Sequence, residues 1–258
     1  MDRGRTGVLL LHGFGGAPFE MRGLEAACAE AGMVTDLPVL PGHCRTVEAW
    51  GRTGWDDWLG LAVERFLALA ARTDRVVVVG NSMGGSLALD LARRDRHGPG
   101  PAGVVTMGTP VFLWRLCPPE ASDWRLPLLP LLRWVRPVWP MPPRDPASME
   151  VMPWEGYEGA MSLPALVSFI GGIRSLRRGL ARVSCPLLVM HAADDRTTPV
   201  GNAMEIMRKV SSRDRTMRLL SMEETVSSHH VLCTHVETRA LVERLVLEFI
   251  ERVAGERA

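Results

Sequence analysis

Residues 76 to 85 read Val-Val-Val-Val-Gly-Asn-Ser-Met-Gly-Gly, and no other stretch restricts the fold so tightly. Four β-branched residues describe a buried strand. They run directly into Gly80-Asn81-Ser82-Met83-Gly84, and a helical pattern over residues 86–94 follows. A bare G-x-S-x-G is common by chance, but one set between a buried strand and a helix is not. The turn is so sharp that the serine takes a strained backbone with its hydroxyl exposed. Side chains at 80 and 84 would collide as strand and helix close, which requires glycine at both. A serine hydroxyl is a poor nucleophile near neutral pH. It needs a base, a carboxylate to orient the base, and N–H donors for an oxyanion.

Each of these parts has a candidate in the chain. An apolar run over residues 7–11 ends in His12-Gly13-Phe14-Gly15-Gly16. A phosphate-binding glycine loop is excluded by spacing, because Pro18 stands where the third glycine of G-x-G-x-x-G would be. Pro18 suits the first turn of a helix instead. The loop is read as a source of backbone donors, with the N–H of Phe14 as one and that of Met83, after the serine, as the other. An acid is expected just past a strand. Residues 185–190 read as a strand and lead into His191-Ala192-Ala193-Asp194-Asp195, with Pro199 four residues on from Asp195. Asp195 has the better spacing, and Asp194 is the alternative. The base is expected last in the chain. Seven histidines are present. His12 and His43 sit in glycine-flanked loops suited to structural hydrogen bonds, His97 lies in a polar loop, and His191 ends a strand. That leaves His229, His230 and His235, of which His230 is preferred and His229 is second. His230 and His235 are five apart, the wrong spacing for one helix face, and no metal site is expected.

With these segments in place, the sequence resembles the α/β-hydrolase superfamily, and within it the small bacterial carboxylesterases and monoacylglycerol lipases. The resemblance rests on Leu9-Leu10-Leu11-His12-Gly13-Phe14-Gly15-Gly16, Pro41-Gly42-His43, Thr53-Gly54-Trp55-Asp56-Asp57-Trp58-Leu59, Gly80-Asn81-Ser82-Met83-Gly84-Gly85, Pro199-Val200-Gly201-Asn202-Ala203 and Ser228-His229-His230-Val231. It implies Ser82 as nucleophile, Asp195 as orienting acid, His230 as base, and Phe14 and Met83 as oxyanion donors. It implies a hydrolase of short- to medium-chain acyl esters or monoacylglycerols, working without a cofactor. Three positions depart from the subgroup: Asn81 replaces its usual leucine, Ala192 a common glycine, and His229 is an additional imidazole. The same scaffold also serves ligand-sensing receptors, thioesterases and C–C bond hydrolases, and fold alone does not choose among them.

Bulk properties agree with an enzyme of small molecules. The chain has 258 residues, enough for one sizeable core, and a net charge of +1. Without a basic block, nucleic acid is not an expected partner. Five scattered cysteines (Cys28, Cys44, Cys117, Cys185, Cys233) form no C-x-x-C, which fits reduced thiols and a cytoplasmic protein. The first strand begins about six residues in, leaving no room for a signal segment before it, and no apolar run is long enough to span a membrane. Oligomeric state is not legible.

Apolar runs alternating with helical patterns predict a mostly parallel sheet flanked by helices, starting at the strand before the oxyanion loop. We read strands at 6–11, 33–38, 75–80, 102–107, 186–191 and 215–221, and helices at 18–31, 55–72, 84–95, 200–210 and 236–253. The last helix carries an apolar stripe through Val236, Ala240, Leu241, Leu245, Leu247, Phe249 and Ile250.

Residues 1–111 and 183–258 form the expected core, and 112–182 an expected cap. Eleven of the 19 prolines and five of the eight tryptophans fall within 110–154, where no strand pattern shows. So long an irregular stretch is functional or disordered, and its tryptophans and leucines argue against disorder. Residues 163–180 read as helix. Trp114, Leu116, Trp124, Leu126, Leu128, Leu129, Leu131, Leu132, Trp134, Val138 and Trp139, with Met83, supply an apolar surface for an acyl chain or for transient contact with lipid. Met107, Val111, Ile170 and Val200 are candidate lining residues. The resemblance adds Glu158, near where monoacylglycerol lipases place a glycerol-binding acid.

Overall fold

The computed structural model describes residues 5–94, 100–116, 119–121 and 126–255. His97, Cys117, Trp124 and the Leu116 side chain lie outside the described part.

In chain order the elements are β1 (Thr6–Leu11), α1 (Arg22–Glu30), β2 (Val34–Asp36), α2 (Val47–Gly51), α3 (Trp55–Ala70), β3 (Arg75–Asn81), α4 (Met83–Ala92) and β4 (Gly103–Met107). Then come β5 (Trp114–Leu116), β6 (Pro119–Ala121), α5 (Leu129–Val135), β7 (Val138–Pro140), α6 (Pro146–Val151), β8 (Ala160–Ser162) and α7 (Leu163–Gly179). The chain closes with β9 (Leu187–Ala192), α8 (Gly201–Lys209), β10 (Arg215–Leu220) and α9 (Arg239–Gly255).

Six strands form one sheet in the order β10-β9-β4-β3-β1-β2, and every pairing is parallel. Parallel strands need both faces covered, and period-two alternation divides their side chains between two cores. Leu9, Leu11, Val76, Val78, Val104 and Val189 face one core with α3, α4 and α7. Val8, Leu10, Val77, Val79, Val105 and Met190 face the other with α1 and α9. The valine run of β3 is central and wholly buried, so Ser82 leaves the sheet at its middle.

Most core elements fall within three residues of their sequence reading; α1 starts four residues later than read, α2 was not expected, and the stripe of α9 differs. Its buried residues are Val242, Val246, Phe249, Ile250 and Val253, whereas Val236 precedes the helix and is 46% exposed. Positions 242, 246, 249 and 253 keep the helical period, which the earlier grouping crossed.

The stretch between β4 and β9 holds more structure than its sequence signals. Two antiparallel pairs, β5 with β6 and β7 with β8, lie where no strand was expected. Each strand spans three residues, too short for alternation to register. The helix expected over 163–180 is α7. Its Phe169, Ile173 and Leu176 join the core with α3 and α4, while Leu163 and Ile170 close a smaller cluster with Leu126 and Leu129. None of the helices, among the described residues, is long and apolar enough to cross a membrane.

Candidate active site

The turn after β3 presents Ser82 as the sequence demands. Ser82 has φ 51° and ψ −118°, a left-handed conformation costly for a residue with a Cβ. Tight packing compels it: a Cβ on Gly80 would lie 2.2 Å from the Gly84 carbonyl carbon, and one on Gly84 2.0 Å from the Leu11 carbonyl oxygen. The Ser82 N–H donates to the Met107 carbonyl, which ties the turn to β4.

Three side chains from distant parts of the chain meet here. His230 Nε2 is 2.9 Å from Ser82 Oγ, and His230 Nδ1 is 2.8 Å from Asp195 Oδ2. A carboxylate only accepts, so Nδ1 carries the proton and Nε2 is left to accept from the serine hydroxyl. The other oxygen of Asp195 accepts from the N–H groups of Thr197 and Thr198, both at 2.8 Å. Asp194 points to solvent. Burial pushes the His230 pKa down, but the Asp195 carboxylate and then Glu20 more than offset this, and the net shift is upward from 6.5.

The glycine loop lies against this group. Three of its N–H groups are engaged within the protein: Gly13 donates to Glu20, Gly15 to His43 Nε2 at 3.2 Å, and Gly16 to the Gly13 carbonyl. The Phe14 N–H has no acceptor among the described residues. The Met83 N–H opens α4, where the helix itself offers no partner. His12 donates to the Gly13 carbonyl and accepts from Leu40 N–H. Burial holds His12 at about 3 and His43 at about 4, so both are neutral struts of the loop.

Residues 8–244 match the profile described as the Alpha/beta hydrolase family. The chain belongs to the alpha/beta hydrolase family. A thermostable monoacylglycerol lipase of Bacillus sp. (strain H-257) is 30% identical over 98% of this chain and 94% of its own length. A solved metagenome-derived lipolytic enzyme is 26% identical over 96% of this chain and 94% of its own, with a TM-score of 0.82. The crystal structure of a monoacylglycerol lipase from Paleococcus ferrophilus aligns over 96% of this chain and 94% of its own at 17% identity and a TM-score of 0.75, a likeness of fold.

In this hydrolase the cleft before Ser82 encloses about 380 Å³ between the core and the 112–182 stretch. Phe14, Leu113, Met161, Leu166 and Phe169 give it an apolar wall. A second, apolar cavity of about 150 Å³ adjoins it, lined by Leu126, Leu129, Leu132, Trp139 and Leu163, and shares Met141, Met161 and Leu166 with the cleft. Thus part of the expected apolar surface does enclose a cavity. Leu128, Leu131 and Trp134, by contrast, are 50%, 68% and 77% exposed.

None of the five expected lining residues faces the cleft. Met107 is buried with the α9-side core, and Val111 with the opposite one. Ile170 turns toward the Leu126 cluster, Val200 stands just before α8, and Glu158 is exposed. Period-two alternation turns Met107 to the far side of the sheet, and Ile170 lies one turn beyond the cleft-lining Leu166 on α7.

Sequence reasoning passed over Glu20 and Glu224, and gave no structural role to His191, His229 or His235. His191 donates from Nε2 to the Thr198 carbonyl at 2.8 Å, beneath Asp195. His229, with φ 56°, and His235 both bring Nε2 to 3.0 Å from Glu224 Oε1, bracing the turn that carries His230. Glu20 lines the cleft itself. Asn81 was the available signal for Glu20: a buried amide beside the nucleophile needs a partner.

Proposed function

We propose that this chain is a serine carboxylic-ester hydrolase of short- to medium-chain acyl esters, monoacylglycerols among them. The observation that carries the reading is the 2.9 Å approach of His230 Nε2 to an Oγ held on a strained turn. His230 takes the proton of Ser82 as Oγ attacks the ester carbonyl. Asp195 keeps the imidazole in the competent tautomer and stabilises its charged form. The N–H groups of Phe14 and Met83 receive the oxyanion. His230 then protonates the leaving alcohol, and water activated by the same imidazole releases the acid and frees Ser82. Every proton in this cycle moves through the chain's own groups, and no cofactor enters it.

Residues 112–182 act as a cap on this cleft. The apolar cavity beside it suits an acyl chain, at about 0.8 kcal/mol per buried methylene. The resemblance to a named monoacylglycerol lipase over nearly the whole chain supports this substrate class.

The test is labelling by an organophosphonate, with peptide mapping, beside turnover of nitrophenyl esters of increasing chain length and of monoacylglycerols. Label on Ser82 and ester turnover are expected. A folded sample left unlabelled at Ser82 would defeat the reading.

A further inference from the structure

A buried carboxyl group that the cycle above does not use joins the two segments that build the site. Glu20 lies in a short 3-10 turn, Pro18–Met21, is 1% exposed, and lines the cleft with Ser82 and His230. Its Oε1 accepts from the Gly13 N–H, and its Oε2 accepts from the Asn81 side-chain amide at 2.9 Å. Gly13 immediately precedes Phe14, and Asn81 immediately precedes Ser82. One carboxylate therefore spans the loop that offers an amide to the oxyanion and the strand end that offers the nucleophile.

The fit is specific to a carboxylate. Both partners are N–H donors and they approach opposite oxygens, so glutamine would turn its NH2 toward one of them. The Asn81 Oδ1 is buried and unpartnered among the described residues, which leaves the bond to Glu20 to orient that amide. Space is fitted as closely: a Cβ at Gly13 or at Gly16 would lie 3.0 Å from Oε1. The charged and titratable groups that face Glu20 are His230 from the loop after β10, Arg144 from the cap, and Cys233. Burial pushes its pKa up to about 7, while the Gly13 bond, His230, Asn81 and Arg144 pull the other way. A buried acid held near neutrality by so many donors is costly as plain packing, and such groups gather at functional sites.

We propose that Glu20 is a positioning residue for this reaction: its carboxylate locks the Gly13–Phe14 peptide against Asn81–Ser82 so that both oxyanion donors converge, and its charge supports the imidazolium of His230. The inference rests on the ester-hydrolase reading. Glu20 forms no bond to substrate in this role, and it replaces none of the three meeting side chains.

The experiment uses the full chain and a nitrophenyl ester, with active sites counted by the phosphonate. Glu20→Gln should lower kcat about 10- to 100-fold with KM within about threefold, as a small misplacement of a reacting group does. The acid limb of kcat/KM should move to lower pH, because a negative charge beside His230 is gone. Adding Asn81→Asp to Glu20→Gln restores the charge and one donor–acceptor match, and should recover much of kcat and return the acid limb. A group that served only packing would lower Tm without moving either readout. Should Glu20→Gln fail to fold, Asn81→Leu decides by the same kcat, which should fall about tenfold. Unchanged kcat and an unmoved acid limb in a folded variant overturn the proposal alone. A wild-type chain that neither turns over ester nor labels at Ser82 overturns the function reading, and this proposal with it.

Discussion

Trp50 and Tyr157 stack face to face, with ring centroids 4.6 Å apart and planes within 5°. Trp50 is buried in the core, and Tyr157 belongs to the stretch between β4 and β9. The Tyr157 hydroxyl donates to the Gly42 carbonyl at 2.5 Å, and its N–H donates to the Gly15 carbonyl at 2.9 Å. This residue thus ties the 112–182 stretch to Gly42 through its hydroxyl and to the glycine loop through its backbone. Tyr157→Phe keeps the stack and removes the hydroxyl bond, a loss of about 1 kcal/mol. In a chain of this size that lowers Tm by about 2–4 °C. Calorimetry showing no change would mean that the tie lies in the stack alone.

Asp195 and Asp194 are adjacent, yet only Asp195 is buried against His230. Asp195→Asn should lose about 10⁴-fold in kcat, because an amide no longer selects the competent tautomer. Asp194→Asn should stay within about threefold. Equal losses in the two variants would remove Asp195 from its role.

In the proposed cycle His230 takes a proton only when its Nε2 is unprotonated. Its pKa lies above 6.5 in the folded chain, so activity should rise as pH climbs through a value higher than that of free histidine. The acid limb of kcat/KM reports it directly. A flat profile between pH 5 and 8 would contradict the assignment.

Glu205 links α8 to α7 through Arg177 at 2.8 Å, and pairs with Lys209 at 2.9 Å. Burial would raise its pKa, but Lys209 and Arg177 overcome this and bring it to about 2. A depressed carboxylate stabilises the fold above its unfolded value of 4.5, and the contribution fades as pH falls toward 2. Glu205→Gln should therefore lower Tm at pH 6 and cost much less at pH 3. A Tm difference that does not shrink on acidification would count against the ion pairs as its source.

Leu166 stands on the wall shared by the cleft and the apolar cavity. Leu166→Trp should close the passage between them. Long-chain esters should then lose about fourfold in kcat/KM for each methylene excluded, while the shortest are little changed. A chain-length series unaltered by the substitution would place the acyl chain elsewhere.

Much of the core is legible because its signals are local. Val76, Val77, Val78 and Val79 announce a buried strand whatever surrounds them, and Gly80 and Gly84 report a turn that no side chain survives. The 112–182 stretch is less legible. Residues 138–140 and 160–162 pair across twenty residues, in strands too short to carry a period. The lining of the cleft was misread for a related reason: how far along α7 the cleft reaches depends on where that helix docks, and Leu166 lines it while Ile170, one turn further on the same face, packs against Leu126 and Leu129.

Taken alone, the amino-acid order determined the parallel sheet, its alternation with helices, and a serine on a glycine-flanked turn, since backbone geometry and side-chain periodicity act between near neighbours. Tertiary packing placed Asp195 rather than Asp194, and His230 rather than His229, in line with Ser82, and brought Glu20 to Asn81 across 61 positions. Those choices turn on distances of a few ångström between segments far apart in the chain. Such distances exist only once two hydrophobic cores have closed on either face of the sheet.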